Sequence, residues 1–367
     1  MTDVMSAWTG RFAPDYLIPP GQTLSELLEE HGMTQTDLAR RLGVSLKHVN
    51  QIVNGTASIS AELALGLEKV LGVSAAFWLN RESLYRADKA RHDEEESLVK
   101  AIAWARKFPT TEMKRRNLLP READGTVLVE SLLRFFGIAS PRQWADPTIA
   151  YRKSLRFASD PYALAVWLRE GELRATALDC KPYDADQFTA ALQSVRRLTR
   201  LEPSQWYPDL VRICAEVGVA VVIVDTFAGS RANGASRWLT PTRALIQLSL
   251  RYRWEDVFWF TFFHEAGHVL LHRKRAIFVE GLGPSENASA DVQEAEREAD
   301  QFASRTLIPP RFDNHLRELS TSQISSFAEV IGIAPAIVVG RLQHDQLLPF
   351  NQGNDLRRRL AFAKTTK

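Results

Sequence analysis

At 367 residues, 45% hydrophobic and 25% charged, the chain has the make-up of an ordinary globular protein with two or three domains. A net charge of +2 points neither toward nucleic acid nor away from it, and two cysteines, Cys180 and Cys214, are too few for a disulfide scaffold and read as buried thiols of a reducing compartment. The first residues, with Asp3, Arg11 and Asp15, do not read as a signal peptide, and the longest apolar run, residues 217–224, has strand length, so a cytoplasmic protein with no membrane partner is expected.

Residues 20–91 read as a first domain of five short helices. Thr34 caps a helix running through Leu38 and Leu42 that stops at Gly43. Ser45 caps the next, with Val49 and Ile52 inward, and Asn54-Gly55 ends it. A fourth runs from Ser60 through Leu63, Leu67 and Val70 to Gly72, and a fifth starts near Ser74. The first 91 residues hold nine Lys/Arg and ten Asp/Glu, so contact with DNA must come from a local patch. The second helix of the pair between Gln35 and Gly55 supplies one, presenting Leu46, Lys47, His48, Asn50, Gln51 and Asn54 to base edges and phosphates. Gln35, at the start of the first, could hold a phosphate. The alternative is a small helical packing domain with no nucleic-acid role.

The charged run Arg91-His92-Asp93-Glu94-Glu95-Glu96 marks a boundary, read as a solvated helix. Residues 92–216 form a helical linker or adapter, broken at Pro109, Pro120, Pro141 and Pro182 and without a catalytic motif. Strand signals come only later, at 219–224 and 244–250, with a turn-rich piece at 229–234 between them. A helix around residues 258–272 follows, then a loop with Gly281, Gly283 and Pro284, a second helix near residues 294–307, and a stop at Pro309-Pro310. Residues 217–345 are thus a third domain, and residues 346–367, with Arg357-Arg358-Arg359, a basic tail. One echo is visible: Ala39, Gly43 and Val44 recur in spacing as Ala328, Gly332 and Ile333. With Pro335, Ile337 and Val338 where base-reading residues would sit, the second copy is read as a packing unit.

The chemistry centres on Phe263-His264-Glu265-Ala266-Gly267-His268. Positions i and i+4 of a helix share a face, so His264 and His268 can offer imidazole nitrogens to one zinc ion. Glu265, one residue round, can touch a water on the metal without binding the metal. The apolar lead-in Phe258-Trp259-Phe260-Thr261-Phe262-Phe263 suits a buried helix, and Gly267 leaves room for a backbone or a substrate. Downstream, Glu296 and Asp300 again stand at i and i+4. Glu296 can complete a His2Glu set, and Asp300 can hydrogen-bond the far nitrogen of a ligand histidine. Glu298 replaces Glu296 only if the helix is rotated, and His272 lies one turn past the site. His315 and His344 remain as donors that could fold back toward it.

With its second motif, Glu296-Arg297-Glu298-Ala299-Asp300-Gln301-Phe302-Ala303, and Leu307-Ile308-Pro309, this sequence resembles the ImmA/IrrE metallopeptidases over residues 217–342. The resemblance implies that zinc is held by His264, His268 and Glu296 and that Glu265 is the base, taking a proton from water and passing it to the leaving amine. Asp300 stands where that family often has Asn. The strand at 244–250 is expected to offer a free edge to an extended substrate. Residues 19–85, through Gly32-Met33-Thr34-Gln35, Leu42-Gly43-Val44-Ser45, Ile52-Val53-Asn54-Gly55 and Phe77-Trp78-Leu79-Asn80, resemble the XRE-type domain of HigA-like antitoxins, which bind operators as dimers.

The expected fold is α+β multidomain: an all-α helix-turn-helix, a helical middle, and a zincin-like domain with a small sheet. The expected function is a homodimeric, operator-binding regulator whose zinc endopeptidase cleaves a repressor or antitoxin-like protein, its own chain included. The rivals are a HigA-like antitoxin that binds a toxin or signal without cleaving, and a housekeeping protease whose helical domain only recruits substrate.

Overall fold

Hydroxyl side chains set four of the five helix starts of the first unit, including Ser74, which accepts the Phe77 N–H at the start of the fifth. Thr34, Ser45 and Ser60 each accept the backbone N–H three residues on, from Asp37, His48 and Leu63. The computed structural model describes residues 18–145, 160–272, 278–280 and 290–360. The chain divides into two units after Ala101.

The first unit contains α1 (Pro20–Glu30), α2 (Gln35–Leu42), α3 (Leu46–Val53), α4 (Ala61–Leu71) and most of α5 (Ala75–Ala105). Its core joins Leu24 and Leu28 of α1, Leu38 and Ala39 of α2, Val49 and Ile52 of α3, Leu63 and Leu67 of α4, and Trp78. Gly43 ends α2 at φ 70°, a left-handed conformation that glycine adopts at little cost. The fifth helix is 31 residues long and continues through the charged run at 91–96.

The second unit adds α6 (Thr110–Arg115), α7 (Gly125–Phe136), α8 (Pro161–Thr176), α9 (Ala185–Leu198) and α10 (Pro203–Ala215) before the first strand. These are not all an adapter apart from the sheet. Residues 163–168 of α8 are buried without interruption, and α8 and α10 pack on β1 (Val219–Ile223). Phe188, Leu192, Trp206 and Leu210 share one core with Ile246 and Trp259.

The sheet has four strands in the order β1, β3 (Arg243–Leu248), β2 (Gly234–Thr240), β4 (Phe278–Glu280). β1 runs parallel to β3, and the remaining pairs are antiparallel. Two expectations are corrected here. Residues 234–240 form a strand that was not expected, starting where the turn-rich piece at 229–234 ends. The strand at 244–250, expected to offer a free edge, is interior and paired on both sides, so its backbone groups are already used. The loop with Gly281, Gly283 and Pro284 lies outside the described residues.

Beneath the sheet runs α11 (Glu255–Leu271), buried at thirteen of its seventeen positions, as a helix in the middle of a domain must be. α12 (Ala290–Leu307) crosses it, and α13 (Asp313–Glu318), α14 (Ile324–Ile331) and α15 (Pro335–His344) complete the unit. The expected basic tail is corrected as well. Arg357 pairs with Asp256 at 2.8 Å, Arg358 with Glu255 at 2.7 Å, and Leu360 is 1% exposed. Burial raises the pKa of both acids, and the two guanidiniums oppose that rise. The segment is therefore docked against the first turn of α11 as far as Leu360. Cys214 is buried, Cys180 is half-buried, and both are free. No helix among the described residues is long and apolar enough to cross a membrane.

Candidate metal centre and DNA-facing helix

The site begins with a helix crossing. A Cβ on Gly267 would sit 3.2 Å from the Ala299 Cα, so glycine on α11 lets α12 approach backbone to backbone. α12 meets it with a buried stripe of Ala295, Ala299 and Ala303. Small residues on both sides bring the neighbouring Glu296 and Asp300 against the histidines of α11.

His264 and His268 are each 2% exposed. Their Nε2 atoms are 2.9 Å apart, and the Glu296 carboxylate reaches His264 Nε2 at 3.3 Å and His268 Nε2 at 3.6 Å. Ligands about 2.0–2.1 Å from one tetrahedral ion stand about 3.3 Å from each other, so this triangle fits a single zinc. Among the described residues it is the group of three acidic or imidazole side chains able to hold a metal.

The electrostatics agree with the donor set. Burial pushes His268 down to about 4, partly opposed by Glu296, so its imidazole is neutral near pH 7. Burial raises the Glu296 carboxyl, but its contacts with the His264 and His268 rings outweigh that and hold it at about 2. Neutral imidazoles and an ionised carboxylate are the protonation states that metal ligation requires.

Around the triangle, Asp300 Oδ1 lies 2.9 Å from His264 Nδ1. His268 Nδ1 faces His272 Nδ1 at 2.9 Å, and His272 Nε2 faces Glu298 Oε2 at 3.0 Å. Glu298 thus pairs with His272 rather than joining the triangle. The sequence reading set His272 aside as a non-ligand and missed this link. The signal was there, since His272 continues the i, i+4 series of His264 and His268. His315 stacks on Phe327 and His344 pairs with Asp345, both apart from the cluster.

Glu265 is fully buried. A Cβ on Gly234 would come 2.8 Å from its Oε1, so the first residue of β2 must lack a side chain for the carboxylate to fit. The sheet and α11 thereby fix the position of the expected base.

In the first unit, Lys47, Asn50 and Gln51 are exposed on α3 and Asn54 at its C-cap, while His48 on α3 and Gln35 on α2 are half-buried. Val49 and Ile52 point into the core. The helix therefore holds itself by one face and presents amide and ammonium groups on the other.

Residues 24–78 match the helix-turn-helix family and residues 228–342 the IrrE N-terminal-like domain family. Virulence-associated protein I of Dichelobacter nodosus is 35% identical over 79 residues, 21% of this chain and 73% of that relative. The uncharacterized HTH-type transcriptional regulator YddM of Escherichia coli is 27% identical over 71 residues, 19% of this chain and 76% of its own length. Among solved structures, the Pseudomonas aeruginosa antitoxin HigA with higBA promoter matches at 36% identity and a TM-score of 0.21, covering 22% of this chain and 89% of that one.

Proposed function

The chain belongs to the helix-turn-helix family through residues 24–78 and carries an IrrE N-terminal-like domain over residues 228–342, and on that basis we propose a DNA-binding transcriptional regulator whose second unit is a zinc-dependent endopeptidase. Its substrate is a repressor or antitoxin-like protein, its own chain included. The observation that carries this reading is the His264–His268–Glu296 triangle, with the buried Glu265 beside it on the same helix.

His264, His268 and Glu296 would hold the metal. When bound, zinc supplies Lewis acidity toward a peptide carbonyl and lowers the pKa of water to about 7. Glu265 takes the proton of the attacking water and returns it to the leaving amine. Asp300 keeps the His264 ring oriented. At the other end of the chain, Asn50 and Gln51 of α3 read base edges, Lys47 contacts phosphate, and a homodimer spans an inverted repeat.

The test incubates wild-type and Glu265→Gln protein with zinc and the products of neighbouring genes, then maps fragments by mass spectrometry. The expected result is a specific cut by the wild type and none by Glu265→Gln, with equal zinc in both. Zinc-loaded wild type that cuts nothing while still binding its operator would replace the peptidase with the antitoxin-like binding module.

A further inference from the structure

His268 is anchored differently from His264, and the difference involves two residues outside the ligand set. An imidazole that gives its Nε2 lone pair to a metal carries its proton on Nδ1. On His264 that proton meets the Asp300 carboxylate directly, at 2.9 Å. On His268 it meets another ring nitrogen, Nδ1 of His272, also at 2.9 Å. Two N–H groups cannot face each other at that distance, so His268 donates and His272 Nδ1 accepts. The His272 proton is then on Nε2, which donates to Glu298 Oε2 at 3.0 Å. With His268 Nε2 given to a metal, a neutral His272 that accepts at Nδ1 and donates from Nε2 satisfies both links of the chain.

The fold explains why an intermediary is needed. Beside His268, Glu296 is occupied in the triangle and Asp300 is taken by His264. Glu298 stands on the other flank of α12, and His272, one turn beyond His268, reaches it. His272 has left helical geometry, at φ −112° and ψ 166°, while its N–H still bonds the His268 carbonyl at 3.2 Å. Its side chain is only 10% exposed, so the link between the two rings is sheltered from water.

We propose that His272 and Glu298 are positioning residues of the metal centre, fixing the tautomer and the ring orientation of His268 through this two-step chain. The proposal rests on His264, His268 and Glu296 being the metal ligands. Partners of this kind typically change metal affinity by about 10–100-fold.

The experiment measures zinc affinity of the full chain by competition with a chromophoric chelator, and records the visible bands of the cobalt-substituted protein. His272→Leu is expected to weaken zinc binding by about 10–100-fold and to alter the cobalt spectrum. His272→Asn, whose amide oxygen can sit where Nδ1 accepts, should stay within about threefold of wild type. Glu298 is half exposed, so Glu298→Ala tests the outer link without loss of fold, and a decrease of roughly threefold to tenfold is expected. Unchanged affinity in His272→Leu, or equal losses in the Leu and Asn variants, would overturn the proposal. Should His272→Leu fail to fold, Glu298→Ala decides, and wild-type affinity there overturns it. A wild type that binds no zinc overturns the ligand assignment itself, and this inference with it.

Discussion

The helix pair α2–α3 and the pair α14–α15 turn on the same device. Gly43 at φ 70° and Gly332 at φ 74° end their first helices, and the next residue bonds back in both, Val44 N–H to Ala39 at 3.1 Å and Ile333 N–H to Ala328 at 3.0 Å. Counting on from the glycines, Val49 falls opposite Val338, both fully buried. One position further the pairs part: Asn50 is exposed, whereas Val339 is buried completely. A shared turn therefore says nothing about use. Polar side chains leave α3 free to meet a partner, and apolar ones commit α15 to the core beside α11.

A reciprocal exchange gives the largest expected effect. Val339→Asn puts an amide into a closed apolar site and should lower stability by about 3 kcal/mol or more in urea unfolding. Asn50→Val should change stability by less than about 0.5 kcal/mol, because the position faces water. Equal costs at both would erase the distinction.

The next effect is read on DNA. Asn50→Val should reduce discrimination at a single base pair of the operator by about 1–3 kcal/mol. Lys47→Ala should weaken binding to all sequences and reduce the salt slope by about 1. Titrations against operator and scrambled duplexes at several salt concentrations check both. If Lys47→Ala altered base preference instead, the division between base reading and phosphate contact on α3 would be wrong.

The smallest effect sharpens the likeness of the two turns. Gly43→Ala and Gly332→Ala should each cost about 1–2 kcal/mol, since the penalty is the positive φ alone. A Cβ at 43 meets nothing within 4 Å, and at 332 it only touches Arg196 at 4.0 Å. A much larger cost at either would reveal packing that the other lacks.

What could be read in the sequence follows the range of each signal. The caps at Thr34 and Ser45, the stop at Gly43, and the pairs His264/His268 and Glu296/Asp300 are periodic or local, and each lies on a helix as its spacing predicted. Strand order is neither. β3 was misread as an edge because its short run, with Gln247 in the middle, says nothing of which strands flank it. That side chain is 1% exposed and donates to the Trp167 carbonyl at 2.7 Å, so the strand is covered on both faces. The docked C-terminal segment was hidden for a related reason. Three successive arginines suggest a free tail until Glu255 and Asp256, about a hundred residues earlier, are seen to pair with two of them. His272 escaped because a search for ligands asks which atoms reach the metal, not which atoms hold the ligands in place.

The central claim is that α11 and α12 together make one zinc site in which ligation and proton transfer belong to different residues. Zinc per chain, measured by plasma mass spectrometry on the full protein and three variants, tests it most directly. About one zinc is expected in wild type and in Glu265→Gln, and loss of most of it in His268→Ala and Glu296→Ala. Full zinc retention in Glu296→Ala, or its loss from Glu265→Gln, would contradict it.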